Sequence, residues 1–510
     1  MGSIIILDFG SQYTELIARR VRELEVYCEV WPFDVSAKRL ESSGAAGIIL
    51  SGSYASVYEN LDIRIHEAVF KLGIPILGIC YGMQSMAEQL GGKVLGCSEK
   101  EFGLAHFNLE CEDPLFAGWP SRSRVWMSHG DQVKILPPDF KILGSSENTP
   151  IAAMRHVSKP WYGVQFHPET THSEYGQSFF ANFVFQVCKV EKNWSPNQVL
   201  HDLEQKVLEQ VKPGEKVLLG LSGGVDSMVL AVFLSRILQD RLICVFVDTG
   251  LLRYQEGARL KQIFADLKLN VLMIDSAQTF FDNLKGVSDP ELKRKAIGRV
   301  FIEEFAREAQ KLEVSYLAQG TIYSDVIESA ETHTGKGKVI KSHHNVGGLP
   351  DVLPFKLLEP FRTLFKDEVR TLGRLLNIPE EWVMRHPFPG PGLGVRILGE
   401  VKREFVTILQ QADHLFLEVL KKTGWYQKCS QAFAVFLPVQ SVGVMGDGRR
   451  YDYVISLRAV ETIDFMTATP VRIPYEILEE VASRIVNEVP HVSRVVYDIS
   501  GKPPATIEWE

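Results

Sequence analysis

Short runs of almost unbroken aliphatic side chains, separated by stretches with helical spacing, recur along the first two thirds of the chain. They are Ser3 to Leu7, Gly47 to Leu50, Ile74 to Ile79, Lys216 to Leu221, Leu242 to Val247, Asn270 to Ile274 and Val314 to Ala318. A strand that is apolar at nearly every position must be buried on both faces, and helices such as Tyr13 to Leu24 and Met228 to Leu238 supply the cover. The pattern therefore predicts α/β architecture with mainly parallel sheets. It breaks once, in the polar, Pro-containing stretch Glu191 to Gln198 (EKNWSPNQ), which reads as a linker. It ends near Arg385, where a Pro/Gly-rich loop, HPFPGPGLG, leads into a helical run, Lys402 to Lys422. A hairpin follows, Ser441 to Met445 and Tyr451 to Arg458 around GDGR, then a helix, Tyr475 to Glu488, and a strand, Ser493 to Ile499. The expected layout is two parallel-sheet domains, 1–190 and 191–385, and a C-terminal α+β domain, 386–510. Three domains is also what a length of 510 residues suggests at roughly 150 residues each.

The composition narrows the function classes. Apolar residues make up 45% and charged residues 23%, as in a globular protein. A net charge of −8 argues against nucleic acid as the main partner. No apolar run approaches a membrane span. The start, MGSIIILDFG, lacks a basic stretch and a cleavage site, which predicts no secretory leader, and Ile6 stands where a myristoylation signal wants Ser or Thr. The 7 cysteines are scattered with no C-x-x-C pair, which predicts a reducing, cytoplasmic location with most of them as small buried hydrophobes.

Gly78-Ile79-Cys80-Tyr81-Gly82 directly follows an apolar strand. Flanking glycines permit the sharp strand-to-helix turn that exposes a nucleophile, and the following helix, expected from Met83 to Gln89, favours a thiolate at its N-terminus. The N–H of Tyr81 is placed for an oxyanion. By itself the segment is also compatible with a plain turn around a buried cysteine. Tyr162 to Glu169 (YGVQFHPE) adds His167 at the expected end of a strand and Glu169 two residues on, so that Glu169 can orient the imidazole that takes the thiol proton. With these residues the chain resembles the class I glutamine amidotransferases. The resemblance implies that Cys80, His167 and Glu169 hydrolyse glutamine through a thioester and release ammonia, with Gln84 and Ser128-His129-Gly130-Asp131 holding glutamine. The family's Gly-Gly-Pro oxyanion strand is replaced here by Ser51-Gly52-Ser53-Tyr54, which keeps only Gly52.

Ser222-Gly223-Gly224-Val225-Asp226-Ser227 lies between a strand and a helix. Two glycines let successive N–H groups form an anion nest at a helix N-terminus, and the hydroxyls of Ser222 and Ser227 add donors. There is no G-K-[ST], so this is not a Walker A loop. The polar Val247-Asp248-Thr249-Gly250 ends the next strand, where open α/β sheets put ligands. SGGVDS resembles the PP-loop of ATP pyrophosphatases. Gln319-Gly320-Thr321 through Asp325-Val326-Ile327-Glu328-Ser329, Ile340 to Pro350 (IKSHHNVGGLP), His386 to Gly394 and the tail Ser500 to Glu510 resemble the GMP synthetase family over essentially the whole chain. The resemblance implies that ATP adenylates the C2 oxygen of XMP, that pyrophosphate leaves, and that ammonia displaces AMP to give GMP. It implies Mg²⁺ with ATP, Asp226 as its ligand, Val247 near adenine, and a lid whose Lys341 reaches the phosphates. It assigns XMP to Arg253, Pro389, Gly390, Gln431, Lys502 and Glu508, and it implies a homodimer through the C-terminal domain. His343-His344 has no nearby cysteine and reads as part of that lid rather than a metal site. Two rival readings are an NAD synthetase, which would leave the C-terminal third without a role, and a non-catalytic nucleotide-binding scaffold, which the intact motifs oppose. The resemblance implies that ammonia passes between the two sites, by a tunnel or by a domain rotation.

Overall fold

The structure is a computed structural model, and it describes residues 2–58, 62–323, 325, 355–445, 448–462 and 467–510. The chain forms two compact units, Met1–Val199 and Leu200–Glu510.

The first unit is built on a nine-stranded sheet. Its strands are β1 (Ile4–Asp8), β2 (Cys28–Pro32), β3 (Gly47–Leu50), β4 (Ile76–Ile79), β5 (Lys93–Leu109), β6 (Arg122–Ile135), β7 (Phe140–Ser146), β8 (Ala153–His156) and β9 (Trp161–Val164), in the order β2-β1-β3-β4-β9-β8-β7-β5-β6. From β2 to β9 the pairing is parallel, and these are the aliphatic runs. From β9 to β6 it is antiparallel, a departure from a mainly parallel expectation. The reason lies in β6, where exposed and buried residues alternate: such a strand has one wet face, which an antiparallel sheet tolerates. Ile5, Leu7, Ile48, Leu50, Ile76 and Met83 form the core on one face of the parallel half.

The second unit carries a five-stranded sheet of β10 (Val217–Leu221), β11 (Leu242–Asp248), β12 (Val271–Asp275), β13 (Tyr316–Ala318) and β14 (Lys356–Leu358). It is parallel throughout, in the order β12-β11-β10-β13-β14. The strand order reverses at β10, so the crevice beyond its carboxyl end is the topological switch point where such sheets bind ligands. A second sheet contains β15 (Gln431–Met445), β16 (Gly448–Glu461), β17 (Thr469–Pro470) and β18 (Val492–Asp498), with β15 and β16 an antiparallel hairpin and β18 parallel to β16. Residues 446 and 447, at the tip expected from GDGR, lie outside the described residues. Helices Arg403–Lys422 and Tyr475–Glu488 pack on this sheet. Leu218, Val245 and Phe280 share one hydrophobic core with Phe405, Phe416, Phe436 and Ile455. Among the described residues no helix is long and apolar enough to cross a membrane, and the six cysteines whose side chains are described are free thiols.

Candidate functional site

In the first unit, β4 ends at Ile79 and the helix Tyr81–Gln89 begins two residues later. Cys80 itself makes the turn, at φ 51° and ψ −105°, a conformation costly for any residue with a Cβ. The flanking glycines serve a different purpose. A Cβ on Gly78 would lie 2.6 Å from Met83 N, and one on Gly82 would lie 2.4 Å from the carbonyl oxygen of Leu50. Strand and helix therefore touch backbone to backbone, and the N–H of Cys80 is anchored on Val164 O at 2.7 Å. The phenol of Tyr81 is buried and donates to Ile63 O, and burial pushes it up to about 12, so its backbone N–H is the part left for an oxyanion.

Cys80 Sγ lies 3.8 Å from Ser128 O and accepts from Gln165 Nε2 at 3.5 Å. Gln84 donates to Gln165 Oε1 and to Asp131 O, at 3.1 and 2.8 Å. His167 Nδ1 is 2.6 Å from Glu169 Oε1, and both side chains are buried. Burial alone would lower the imidazole pKa. The negative charges of Glu169 and Cys80 more than offset this and hold it well above 6.5. His167 is not the end of a strand as expected: β9 stops at Val164, and the His167 N–H then pairs with Trp126 O of β6 at 2.9 Å. This change of partner carries the histidine out of its own ladder. The ring of Tyr13 packs edge-on against it, centroids 4.9 Å apart.

A Cβ on Gly52 would sit 3.1 Å from Ser11 Oγ and 3.4 Å from His167 Cε1, so the backbone at Gly52 runs directly alongside the imidazole. The segment replacing Gly-Gly-Pro is tied down downstream of Gly52, where Ser56 Oγ and Tyr58 OH donate to the two oxygens of Asp131 at 2.7 and 2.8 Å. His129 is buried in β6, with Nε2 3.5 Å from the buried Glu101, which also accepts from Thr149 and Ser146. Sequence reasoning missed Gln165, although it stands two residues before His167, the same spacing that links His167 to Glu169.

In the second unit, Ser222-Gly223-Gly224 forms the turn after β10, and the helix starts at Val225, earlier than the expected Met228. Gly223 has φ 74°. The hydroxyls of Ser222 and Ser227 are 3.1 Å apart, and Ser222 Oγ accepts from Gly224 N–H at 3.2 Å. Asp226 Oδ2 is 3.3 Å from Lys366 Nζ, while its buried Oδ1 has no hydrogen-bond partner among the described residues. A Cβ on Gly320 would lie 3.3 Å from Ser227 N, so Gln319-Gly320-Thr321 flanks this loop. Val247 is buried at the end of β11. Burial raises the pKa of the adjacent Asp248 carboxyl, and Asp275 and Glu256 add to this. Lys341, with residues 340–350, lies outside the described residues.

The Pro/Gly loop docks on the segment after β11: Leu393 N–H donates to Leu251 O at 2.8 Å, and Pro389 O accepts from Gly392 N–H at 2.9 Å. A side chain at Gly390 would meet open space. Phe388 is a hub, with the guanidinium carbons of Arg253, Arg396 and Arg385 at 5.2, 5.2 and 5.9 Å from its ring centre. Arg396, fully buried, grips both oxygens of Glu508 at 3.0 and 2.8 Å, and Gln431 Nε2 donates to the same carboxylate at 2.7 Å. Arg253 Nε is 3.6 Å from Asp413 Oδ2, and its Nε and Nη2 have no hydrogen-bond partner among the described residues. Arg253 thus meets the ring of Phe388, next to Pro389, and Arg396 links that ring to Glu508 and, through it, to Gln431. Lys502 is held through its backbone, paired with Ala468 in both directions at 2.8 and 3.0 Å.

Residues 5–187 match the family Glutamine amidotransferase class-I, the class of protein that the thiol site defines. Residues 418–509 match the GMP synthase C terminal domain. The GMP synthase [glutamine-hydrolyzing] of Haemophilus influenzae is 56% identical over 516 residues, covering 99% of this chain and 98% of its own length. That of Azoarcus sp. is 56% identical over 517 residues and 99% of each chain. The chain belongs to the glutamine-hydrolysing GMP synthase family. The crystal structure of a glutamine amidotransferase from Thermotoga maritima aligns with 41% of this chain and 86% of its own at 19% identity, with a TM-score of 0.28, too distant to carry an argument.

Proposed function

We propose that the chain makes GMP from XMP, taking nitrogen from glutamine and driving the exchange with ATP, and that it does so in three functional parts, 1–190, 191–385 and 386–510. The observation that carries the reading is the buried Cys80, His167 and Glu169 group, with Glu169 2.6 Å from the imidazole, in a chain 56% identical to a glutamine-hydrolysing GMP synthase over 99% of its length. The Cys80 thiolate attacks the carboxamide carbon of glutamine, and the N–H groups of Tyr81 and Gly52 receive the oxyanion. The imidazolium of His167 gives its proton to the departing ammonia. It then takes one from the water that hydrolyses the thioester.

The C2 oxygen of xanthine is a poor leaving group, so it attacks the α-phosphate of ATP and becomes an adenyl ester. Pyrophosphate leaves held by the N–H groups and hydroxyls of Ser222 to Ser227, and ammonia displaces AMP. Mg²⁺ fits this loop: Asp226 offers a buried carboxylate oxygen with no hydrogen-bond partner among the described residues, and Mg²⁺ binds through one or two carboxylates plus phosphate and water oxygens. When bound it would neutralise polyphosphate charge. Arg253 and Lys502 would meet the phosphate of XMP, and Gln431, Glu508 and the Pro389-Gly390 loop its base. A homodimer in a reducing cytoplasm completes the reading; the free thiols support the compartment. The test is Cys80→Ala in the full chain. Glutamine-dependent GMP formation is expected to vanish while ammonium-dependent formation persists, and loss of both would break the assignment of separate sites.

A further inference from the structure

Arg385 has no part in the chemistry above, yet it reaches both nucleotide loops. Its Nη1 donates to the carbonyl of Gly223, inside the PP-loop, at 3.0 Å. Its Nη2 is ion-paired with Glu256. Glu256 is buried at the start of the helix Glu256–Asp266, and its other oxygen accepts the backbone N–H of Arg253 at 2.8 Å. Gly223 O, Arg385, Glu256 and Arg253 N–H therefore make one continuous chain of contacts between the two loops.

The local chemistry gives this chain a purpose. Gly223 sits at φ 74°, where glycine is loosely restrained. Its carbonyl and the N–H of Gly224 belong to one planar peptide, so holding the oxygen also fixes that N–H, which donates to Ser222 Oγ and so sets the hydroxyl that stands beside Ser227 in the loop. At the other end, Glu256 fixes the backbone from which the partly buried Arg253 side chain projects, its Nε and Nη2 without a hydrogen-bond partner among the described residues. A guanidinium is a rigid fork, so the separation of its two acceptors is set, which an ammonium could not do.

We propose that Arg385 is a positioning residue, a strut that couples the ATP loop to the arginine assigned to XMP, so that filling either nucleotide site tightens the other. Such coupling is reciprocal. The inference rests on the assignment of SGGVDS to ATP and Arg253 to XMP made above.

The test is ammonium-driven AMP release by the full chain, varying ATP and XMP in turn. Arg385→Lys is expected to raise KM for both nucleotides by about tenfold or more, the loss of one charged hydrogen bond, with a smaller change in kcat. Keeping the charge is not expected to rescue it. Glu256→Gln should repeat the pattern, and the double variant should be little worse than the worse single one, because both cut the same chain of contacts. A rise in KM for one nucleotide only, additive effects, or a lowered unfolding midpoint with both KM values unchanged would overturn the strut. Arg253→Ala separates the two levels: unchanged KM for XMP sinks the assignment of Arg253, whereas a raised KM beside a silent Arg385→Lys sinks the strut alone.

Discussion

His167 is the residue at which burial and charge compete most openly. Desolvation favours a neutral ring, and the carboxylate and sulfur beside it favour the imidazolium; the charges prevail, and the pKa lies well above 6.5. A histidine shifted upward stabilises the fold fully below its unfolded pKa, about 6.5, and loses that contribution as pH rises through the folded value. Glu169→Gln removes the main attraction and leaves a buried ring without its counter-charge. It is expected to cost on the order of 3 kcal/mol at pH 6 and progressively less toward alkaline pH. Urea denaturation of both proteins across that range checks the sign; a gap that widens with pH would contradict the imidazolium.

Among elements, the turn between β4 and its helix is the tightest, and its glycines are steric requirements. Gly82→Ala puts a methyl 2.4 Å from Leu50 O, so the helix must retreat from β3. The expected cost is about 1–3 kcal/mol, and glutamine hydrolysis should fall with it because the Tyr81 N–H moves too; a denaturation midpoint and a glutaminase rate test both. This element was legible in the sequence because each of its signals is local: an aliphatic run, a Gly-x-Cys-x-Gly, and a helix. The aliphatic strands were legible for the same reason, with ends displaced by a residue or two. The antiparallel half of the first sheet was not, since β5 and β6 are long, half-wet strands without an aliphatic run. Nor were the partners that complete the second site. Lys366 with Asp226, Arg385 with Gly223 and Arg396 with Glu508 are separated by 140, 162 and 112 positions, and no local spacing encodes such pairs.

For the whole molecule, the exposed apolar side chains of the β15–β16 hairpin matter most. Val439, Val442, Val444 and Tyr451 are all more than half exposed, and contiguous apolar surface of this kind marks association sites. Sedimentation is expected to give twice the 57.4 kDa chain mass, and Val442→Glu with Val444→Glu to shift it toward the single chain. A monomeric parent protein would refute the dimer.

The left-handed backbone at Cys80 has one more outcome. A residue forced into that corner of conformational space holds on the order of 1–3 kcal/mol of strain, which glycine would shed. Cys80→Gly should therefore survive heating better than its working parent. Thermal toughness and glutamine turnover are set against each other at a single position, so a screen that selects only for heat resistance would drift toward a durable but inert glutaminase.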